Sequence, residues 1–366
     1  MVSMPRRAAK VASQGAGRSR RGGRTDQQPS LPARKRSAST RDASTAAIDL
    51  AVAIIAVEND EPMVEVLPSY ASTGLDRLPA TRFVLGVADS LEEALRASVE
   101  TETGHAVGFL QQLSAVVERD AGTHNTVIDR VLIGYLALVH DNRRGARLRR
   151  ERRTRSLRAS RWQGCYQHLP WEDWRQGNPS VVADVIIPRL AAWAKRIDPA
   201  LSKAALARLQ AERSARARIA FDGSTGWDEE KVLMRFQLLE EAGLIYEGAF
   251  HNGQAVTDAE EPEITLGRPM APGHRRILAA GLGRLRMDMK SRPVIFELMD
   301  EEFSLFELQR TVEAILGPNL HKQNFRRLIE TAQLVEPTGR MKSHTGGRPA
   351  KLYRFRRDVL LERRAR

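Results

Sequence analysis

The sequence predicts an α+β fold with an α/β sandwich, a helical middle segment and a C-terminal winged helix-turn-helix. Three observations support this prediction. Strand-like apolar runs flank one amphipathic helix in the first part, and helical periodicity dominates the second. The last part has the order helix, short strand, two helices and hairpin, which is that of a winged helix. We predict that the chain divides into four parts, residues 1–46, 47–178, 179–271 and 272–366.

The sandwich is predicted from four strands and one helix. Ile48–Val57 and Met63–Leu67 are apolar and rich in β-branched residues, so we expect two buried strands. Apolar residues at helical spacing predict a helix over Ser90–Thr103. Leu110–Glu118 and Val127–His140 return to a strand-like pattern.

The middle segment is predicted to be helical and to end in a linker. Three amphipathic or capped stretches are expected as helices, namely Ser180–Arg196, Pro199–Ile219 and Asp228–Ala242. Gly248–Gly273 is rich in glycine, proline and acidic residues, so we interpret it as a linker.

The C-terminal part begins with a predicted amphipathic helix, His274–Lys290, and a short strand, Pro293–Leu298. Ser304 followed three residues later by Glu307 is the pattern of a capping box, which predicts a helix that starts at residue 305. Gly317 and the proline after it end that helix near residue 316.

Composition excludes several classes of protein. The chain has 366 residues, a net charge of +13 and a single cysteine, Cys165. One cysteine excludes an internal disulfide and cysteine-rich metal modules, and it favours a reducing, cytoplasmic compartment. No apolar run approaches the roughly 20 residues of a membrane span, so we expect no membrane partner.

The charge is distributed unevenly. Residues 47–140 hold 5 basic and 14 acidic side chains, whereas residues 272–366 hold 20 basic and 11 acidic ones. A basic C-terminal part suits a polyanion such as DNA. Residues 1–46 are predicted to be a disordered basic tail, which is inert, binds DNA non-specifically or is a transit peptide. Arg143–Arg161 holds ten arginines and is either a solvated insert or a second arm that contacts phosphates.

The helix predicted over His321–Ala332 carries the strongest pattern for DNA binding. Its first two turns hold side chains that suit base edges and phosphates, namely Lys322, Gln323, Asn324, Arg326 and Arg327. Phe325, Leu328 and Ile329 are predicted to face the core. Adjacent residues point about 100° apart, so the sequence leaves open which of the two arginines faces a base.

A hairpin loop is predicted between strands at Leu334–Pro337 and Lys351–Phe355. Glycines in this loop allow the backbone to approach a duplex closely, and Arg348 lies between a glycine and a proline, which suits a minor-groove contact. The basic residues proposed to bind DNA from this wing are Arg340, Lys342, Arg348 and Lys351.

Two runs in this region resemble a known family. Lys322–Arg327 (Lys-Gln-Asn-Phe-Arg-Arg) and Gly347–Phe355 (Gly-Arg-Pro-Ala-Lys-Leu-Tyr-Arg-Phe) are similar to the C-terminal winged helix of the Nudix-related transcriptional regulators of NAD metabolism. The resemblance covers about residues 272–356. It implies an upstream Nudix-like sensor for ADP-ribose or a related nucleotide, a double-stranded DNA operator and a homodimer. Residues 199–265, which we cannot place in shorter relatives, either enlarge the dimer interface or form an insertion.

The Nudix box of that family holds Mg²⁺ with glutamates on one helix face. With Gly104 as its conserved glycine, Ser98 and Thr101 stand at two glutamate positions and only Glu102 remains of the three clustered metal glutamates. We therefore expect a sensor, with no catalytic residue, no metal and no cofactor. The residues expected to border an ADP-ribose-like effector are Arg82, Glu93, Glu100 and Glu102.

Two other functions stay open at this point. The first is a Nudix pyrophosphohydrolase acting on nucleotide sugars or ADP-ribose, with a metal site formed by Glu93, Glu100 and Glu102. The second is an RNA-binding or architectural protein, which would show no preference among duplex sequences.

Overall fold

The computed structural model describes residues 47–68, 74–121, 127–140, 160–221, 227–247, 266–291, 294–342 and 349–356. All of them belong to one unit that spans Ser44–Arg366. The predicted tail, nearly all of the arginine-rich segment and the first part of the predicted linker lie outside the described residues. The α+β fold class is confirmed by the described elements.

A mixed sheet occupies the first part of the chain, and the described residues contribute seven strands to it. The strands are β1 (Ala47–Glu58), β2 (Glu61–Pro68), β3 (Asp76–Arg77), β4 (Ala80–Arg82), β5 (Phe109–Ala121), β6 (Val127–Leu138) and β7 (Arg161–Gly164). Five of them run in the order β3-β2-β1-β6-β5, while β4 pairs with β1 and β7 with β2. β1 and β6 are parallel, and the other pairs are antiparallel.

Seven longer helices and a hairpin complete the described part of the chain. The helices are α1 (Leu91–Thr103), α2 (Ile187–Ala194), α3 (Lys203–Phe221), α4 (Val232–Glu241), α5 (His274–Ser291), α6 (Leu305–Leu316) and α7 (Lys322–Ala332). A π-helical segment, Val181–Ile186, leads into α2. The hairpin pairs β8 (Val335–Lys342) with β9 (Ala350–Phe355).

The sheet lies between two helices. In β1, Leu50, Val52 and Ile54 belong to the core layer that contains α1, and the residues between them belong to the layer that contains α5. This strand is buried on both faces, as expected for a strand with a parallel partner inside a sandwich. The alternation explains why the β1 sequence is continuously apolar.

Helix α1 begins and ends at local sequence features. The Ser90 side chain accepts a hydrogen bond from the Glu93 backbone N–H, which caps the N-terminus. Gly104 takes the left-handed conformation with φ +79° and closes the C-terminus. The predicted boundaries of this helix are therefore confirmed.

Helix α5 packs on the sheet through close backbone contact. Ile277 occupies the space above Gly134 of β6, where an added Cβ would lie 2.9 Å from the isoleucine side chain. Gly281 lies close to Ala53 of β1, since a Cβ added to this glycine would lie 3.3 Å from the alanine side chain. The helix that we assigned to the C-terminal part thus covers the sheet as well, and the limit at residue 272 stays a prediction.

Two predicted stretches that precede α6 differ from the structure. The strand expected over Pro293–Leu298 is wrong, since Val294–Leu298 is a 3-10 helix. Its apolar residues at positions 294, 295 and 298 face the core together, and such spacing suits a helical turn. The end of the predicted linker is packed, because Leu266 and Met270 are buried and the Ala271 N–H donates to the Asp76 carbonyl.

Candidate nucleic-acid interface and effector site

The helix-turn-helix is shaped by its local capping interactions. The Ser304 hydroxyl accepts from the Glu307 backbone N–H, and the Glu307 carboxylate accepts from the Ser304 N–H at 2.8 Å. This is the predicted capping box at the start of α6. Gly317, with φ +100°, ends α6 and lets the chain turn toward α7.

Helix α7 has a narrow buried face. Phe325 and Ile329 are buried, whereas Leu328 is 64% exposed. The prediction that Leu328 faces the core is therefore wrong. The two buried positions are four residues apart, so they lie on one side of the helix and face the core, and Leu328 projects away from that side.

The two arginines of α7 point to different surroundings. Arg327 and Asn324 line the same cavity of about 530 Å³, which the turn before α7 closes on one side. Arg326 is exposed but does not border that cavity. The predicted DNA-binding residues of this helix are all exposed, namely Lys322, Gln323, Asn324, Arg326 and Arg327.

The wing differs in part from its prediction. Arg340 and Lys342 lie in β8 rather than in the loop, and each is paired with a carboxylate. Arg340 is 3.0 Å from Glu302, and Lys342 is 2.5 Å from Glu307. Lys351 is exposed at the start of β9, and Arg348 lies outside the described residues.

The expected effector residues do not form one cluster. Glu102 is paired with the buried Arg77 at 2.7 Å, and its other oxygen accepts from the Ala80 N–H at 3.4 Å. Glu93 is exposed and accepts from the Asp89 N–H near the start of α1, while Glu100 is exposed at the other end.

Arg82, the fourth expected residue, lies on the edge strand β4. Its guanidinium is 3.0 Å from Asp49 of β1, and that carboxylate also contacts Arg130 at 3.4 Å. Within the described ranges we find no group of three or more His, Cys, Asp or Glu side chains arranged to hold a metal ion. The described helices likewise include none with the length and apolarity to cross a membrane.

His274 connects α5 to the edge of the sheet near Glu102. Its Nδ1 accepts a hydrogen bond from the Leu78 backbone N–H at 3.1 Å, so the ring is held in the tautomer with a bare Nδ1. Burial lowers the pKa of His274 to about 3, and the nearby positive charges of Arg130 and Arg77 add to the effect.

A buried ionic cluster that sequence reasoning missed joins the sandwich to the helix-turn-helix. Glu172 contacts Arg286 of α5 at 2.6 Å and Arg235 of α4 at 2.9 Å. Tyr166 donates to the Ala314 carbonyl at 2.7 Å, and burial raises the pKa of this phenol to about 12. The residues are far apart in sequence, and no local pattern relates them.

Comparison with known proteins identifies the C-terminal region. Residues 295–355 match the family model of the NrtR DNA-binding winged helix domain. The chain resembles the NrtR-type regulators. This match confirms the resemblance drawn from the α7 and wing sequences.

One curated relative is the ADPR responsive transcriptional repressor NtrR of Acinetobacter baylyi, which is 39% identical over 93 residues. That alignment covers 25% of this chain and 37% of the relative, so the chain spans little more than a third of the length of the relative that it matches.

Two solved structures are similar in outline. Shewanella oneidensis NrtR in complex with a 27mer DNA has a TM-score of 0.48 and 15% identity, over 85% of this chain and 94% of that chain. A MutT/nudix family protein from Enterococcus faecalis has a TM-score of 0.45 and 12% identity, over 90% of each chain.

Proposed function

We propose that this protein is a ligand-responsive, DNA-binding transcriptional regulator, a repressor of genes of NAD metabolism. One observation carries the proposal: Asn324 and Arg327 lie side by side on the exposed face of α7, in a region that matches an NrtR winged helix. The start of a recognition helix is the part that enters the major groove.

The residues of α7 divide into two roles in this proposal. Arg327 forms two hydrogen bonds with a guanine and Asn324 binds an adenine, because their guanidinium and amide groups match these base edges and both are exposed three positions apart on α7. Arg326 contacts the phosphate backbone from outside the cavity. Lys322 and Gln323 lie at the start of α7, where they help to hold this helix in the major groove.

The wing adds contacts to the backbone and to the minor groove. Arg340 and Lys342 exchange their present carboxylate partners for phosphates, which costs little because both pairs are partly exposed and such pairs contribute about 0–1 kcal/mol. Lys351 and Arg348 complete the wing contacts, with Arg348 in the minor groove.

We propose an ADP-ribose-like nucleotide as the effector, bound along α1 and β4, with Arg82, Glu93, Glu100 and Glu102 contacting separate parts of it. Support comes from the name of the Acinetobacter baylyi relative, which describes an ADPR responsive repressor. Effector binding changes DNA affinity through differential binding to two states and needs no turnover. Calorimetry with a panel of NAD-related metabolites tests this, and no binding to any of them would refute the effector class.

We propose that the protein is not an enzyme, because Ser98 and Thr101 offer no carboxylate at two metal positions and Glu102 is engaged by Arg77. The purified protein should not hydrolyse ADP-ribose with Mg²⁺ or Mn²⁺ above the rate of a Glu102→Gln control. Metal-dependent hydrolysis that this substitution abolishes would establish the pyrophosphohydrolase instead.

The functional assembly is proposed to be a cytoplasmic homodimer. One recognition helix covers only a few base pairs, so useful specificity requires two half-sites about one helical turn apart. Selection of binding duplexes from a random library, followed by titration and light scattering, tests both points. A monomer on and off DNA would refute the dimer, and equal affinity for all duplexes would favour an architectural protein.

A further inference from the structure

Leu328 is an apolar side chain among polar residues on the exposed face of α7. It follows Asn324 by four residues and precedes Thr331 by three, so all three project from one side of the helix. Together with Arg327 they line the cavity of about 530 Å³. A single exposed leucine is common on a protein surface. Here, however, it is a neighbour of Asn324 and Arg327, the side chains proposed to read bases, and lines the same cavity.

We propose that Leu328 contacts the C5-methyl group of a thymine in the major groove and contributes to operator preference. This inference rests on the proposed DNA-binding function and names one further base contact. Among the four bases of DNA, thymine alone presents a methyl group in the major groove, and apolar side chains recognise it by contact. Arginine and asparagine supply hydrogen bonds for guanine and adenine, so Leu328 adds a third kind of recognition.

The charge around Leu328 favours a nucleic acid over an apolar protein partner. Lys322, Arg326 and Arg327 are exposed on α7, against one exposed acid, Glu330. Residues 272–366 carry 20 basic and 11 acidic side chains. A polyanion such as DNA is therefore attracted to this positively charged surface.

Helix geometry limits where the thymine lies. Side chains four residues apart on a helix are separated by about 5–6 Å. Successive base pairs are about 3.4 Å apart along the duplex. The thymine that meets Leu328 should therefore lie within about two base pairs of the adenine that meets Asn324.

The test combines a protein substitution with removal of the methyl group. A preferred duplex is selected with the full chain, and each thymine is replaced in turn by deoxyuridine, which lacks the methyl group and keeps the hydrogen bonds. One replacement should weaken wild-type binding by about fourfold, the change expected for one buried methyl-sized group. Leu328→Ala should weaken binding to the thymine duplex and make that replacement nearly neutral.

The control is Leu85→Ala, which removes another exposed leucine, 86% exposed and located before α1. It should leave duplex affinity and the effect of deoxyuridine unchanged. The inference is overturned if deoxyuridine costs the same in Leu328→Ala as in wild type, or if no thymine responds. It is also overturned if Leu328→Ala weakens self-association in light scattering and affects all duplexes alike. Failure of the wild type to bind any duplex would refute the proposed function itself.

Discussion

Glu172 and Arg286 form an ion pair in which both side chains are fully buried and the closest N–O distance is 2.6 Å. The same guanidinium donates to the Ile315 carbonyl at 2.8 Å, at the C-terminal end of α6. A cation at this end is favourable because helix carbonyls there are unpaired and the helix dipole is negative. The pair thus holds the sandwich to the helix that precedes α7.

Loss of the Glu172 charge should destabilise the protein strongly. Glu172→Gln keeps the side-chain volume but leaves Arg286 and Arg235 buried without their shared counter-ion. Removing one partner of a buried pair costs about 3–5 kcal/mol, so the free energy of unfolding should fall by that amount. Chemical denaturation measures the change.

The matched control is Glu241→Gln, since Glu241 pairs with Arg216 at a site where both side chains are about half exposed. Exposed pairs contribute about 0–1 kcal/mol, so this variant should be close to wild type. If both variants lost the same free energy of unfolding, burial of the Glu172 pair would not explain the loss.

Arg327 and Arg326 should differ in how they affect DNA binding. Arg327→Ala should weaken binding to a selected duplex by about 1–3 kcal/mol and binding to a scrambled duplex much less, because a base contact is lost. Arg326→Ala should weaken both alike and reduce the salt slope by about one unit, because a phosphate contact is lost. Titrations at two salt concentrations distinguish the two. Identical profiles would show that the cavity does not mark the base-reading side.

Glu302 should restrain DNA binding by the wing through its pair with Arg340. Glu302→Gln removes a negative charge beside the proposed phosphate contact, so affinity should rise by up to about fivefold at low salt. The gain should shrink near physiological ionic strength, where the Debye length is about 8 Å. Glu212→Gln on α3 makes the same change of charge outside the winged helix and should have little effect. An equal gain in both variants would point to net charge alone.

His274 should make stability depend on pH below neutrality. Its pKa is about 3 in the folded protein because of burial, against 6.5 for an unperturbed histidine. The unfolded chain therefore binds the extra proton first, and stability falls as pH drops from 6.5 toward 3. The loss between pH 7 and pH 5 should be about 2 kcal/mol from this residue.

His274→Asn keeps an acceptor for the Leu78 N–H and removes the titrating group. The variant should lose less stability than wild type between pH 7 and pH 5, as measured by denaturation at each pH. If the free energy of unfolding falls equally with pH in wild type and variant over this interval, other groups account for the acid sensitivity.

Local features of the chain were predictable because a few neighbouring residues determine them. The capping box of Ser304 and Glu307 and the left-handed Gly104 each depend on contacts within four residues. Sequence therefore placed the ends of α1 and α6 correctly. The continuous apolar run of β1 also predicted a buried strand, and the structure shows that it is buried on both faces.

The candidate DNA interface was predictable by residue type and only partly by orientation. Asn324 and Arg327 were identified from their chemistry, yet their shared cavity depends on how the turn before α7 packs. The apolar pattern predicts Leu328 in the core, but within α7 only Phe325 and Ile329 are buried. Burial is a property of the packed pair of helices, which periodicity alone does not specify.

The sequence by itself determined the α+β class, the ends of α1 and α6 and the basic winged-helix pattern, because these depend on neighbouring residues. Tertiary structure alone decided that α5 covers the sheet and that Glu172 meets Arg235 and Arg286, which lie 63 and 114 positions further along the chain. Such contacts form only when distant segments are brought together by burial of their apolar faces. The energies of these contacts depend on the exclusion of water from the assembled core, and a short stretch of sequence does not determine that exclusion.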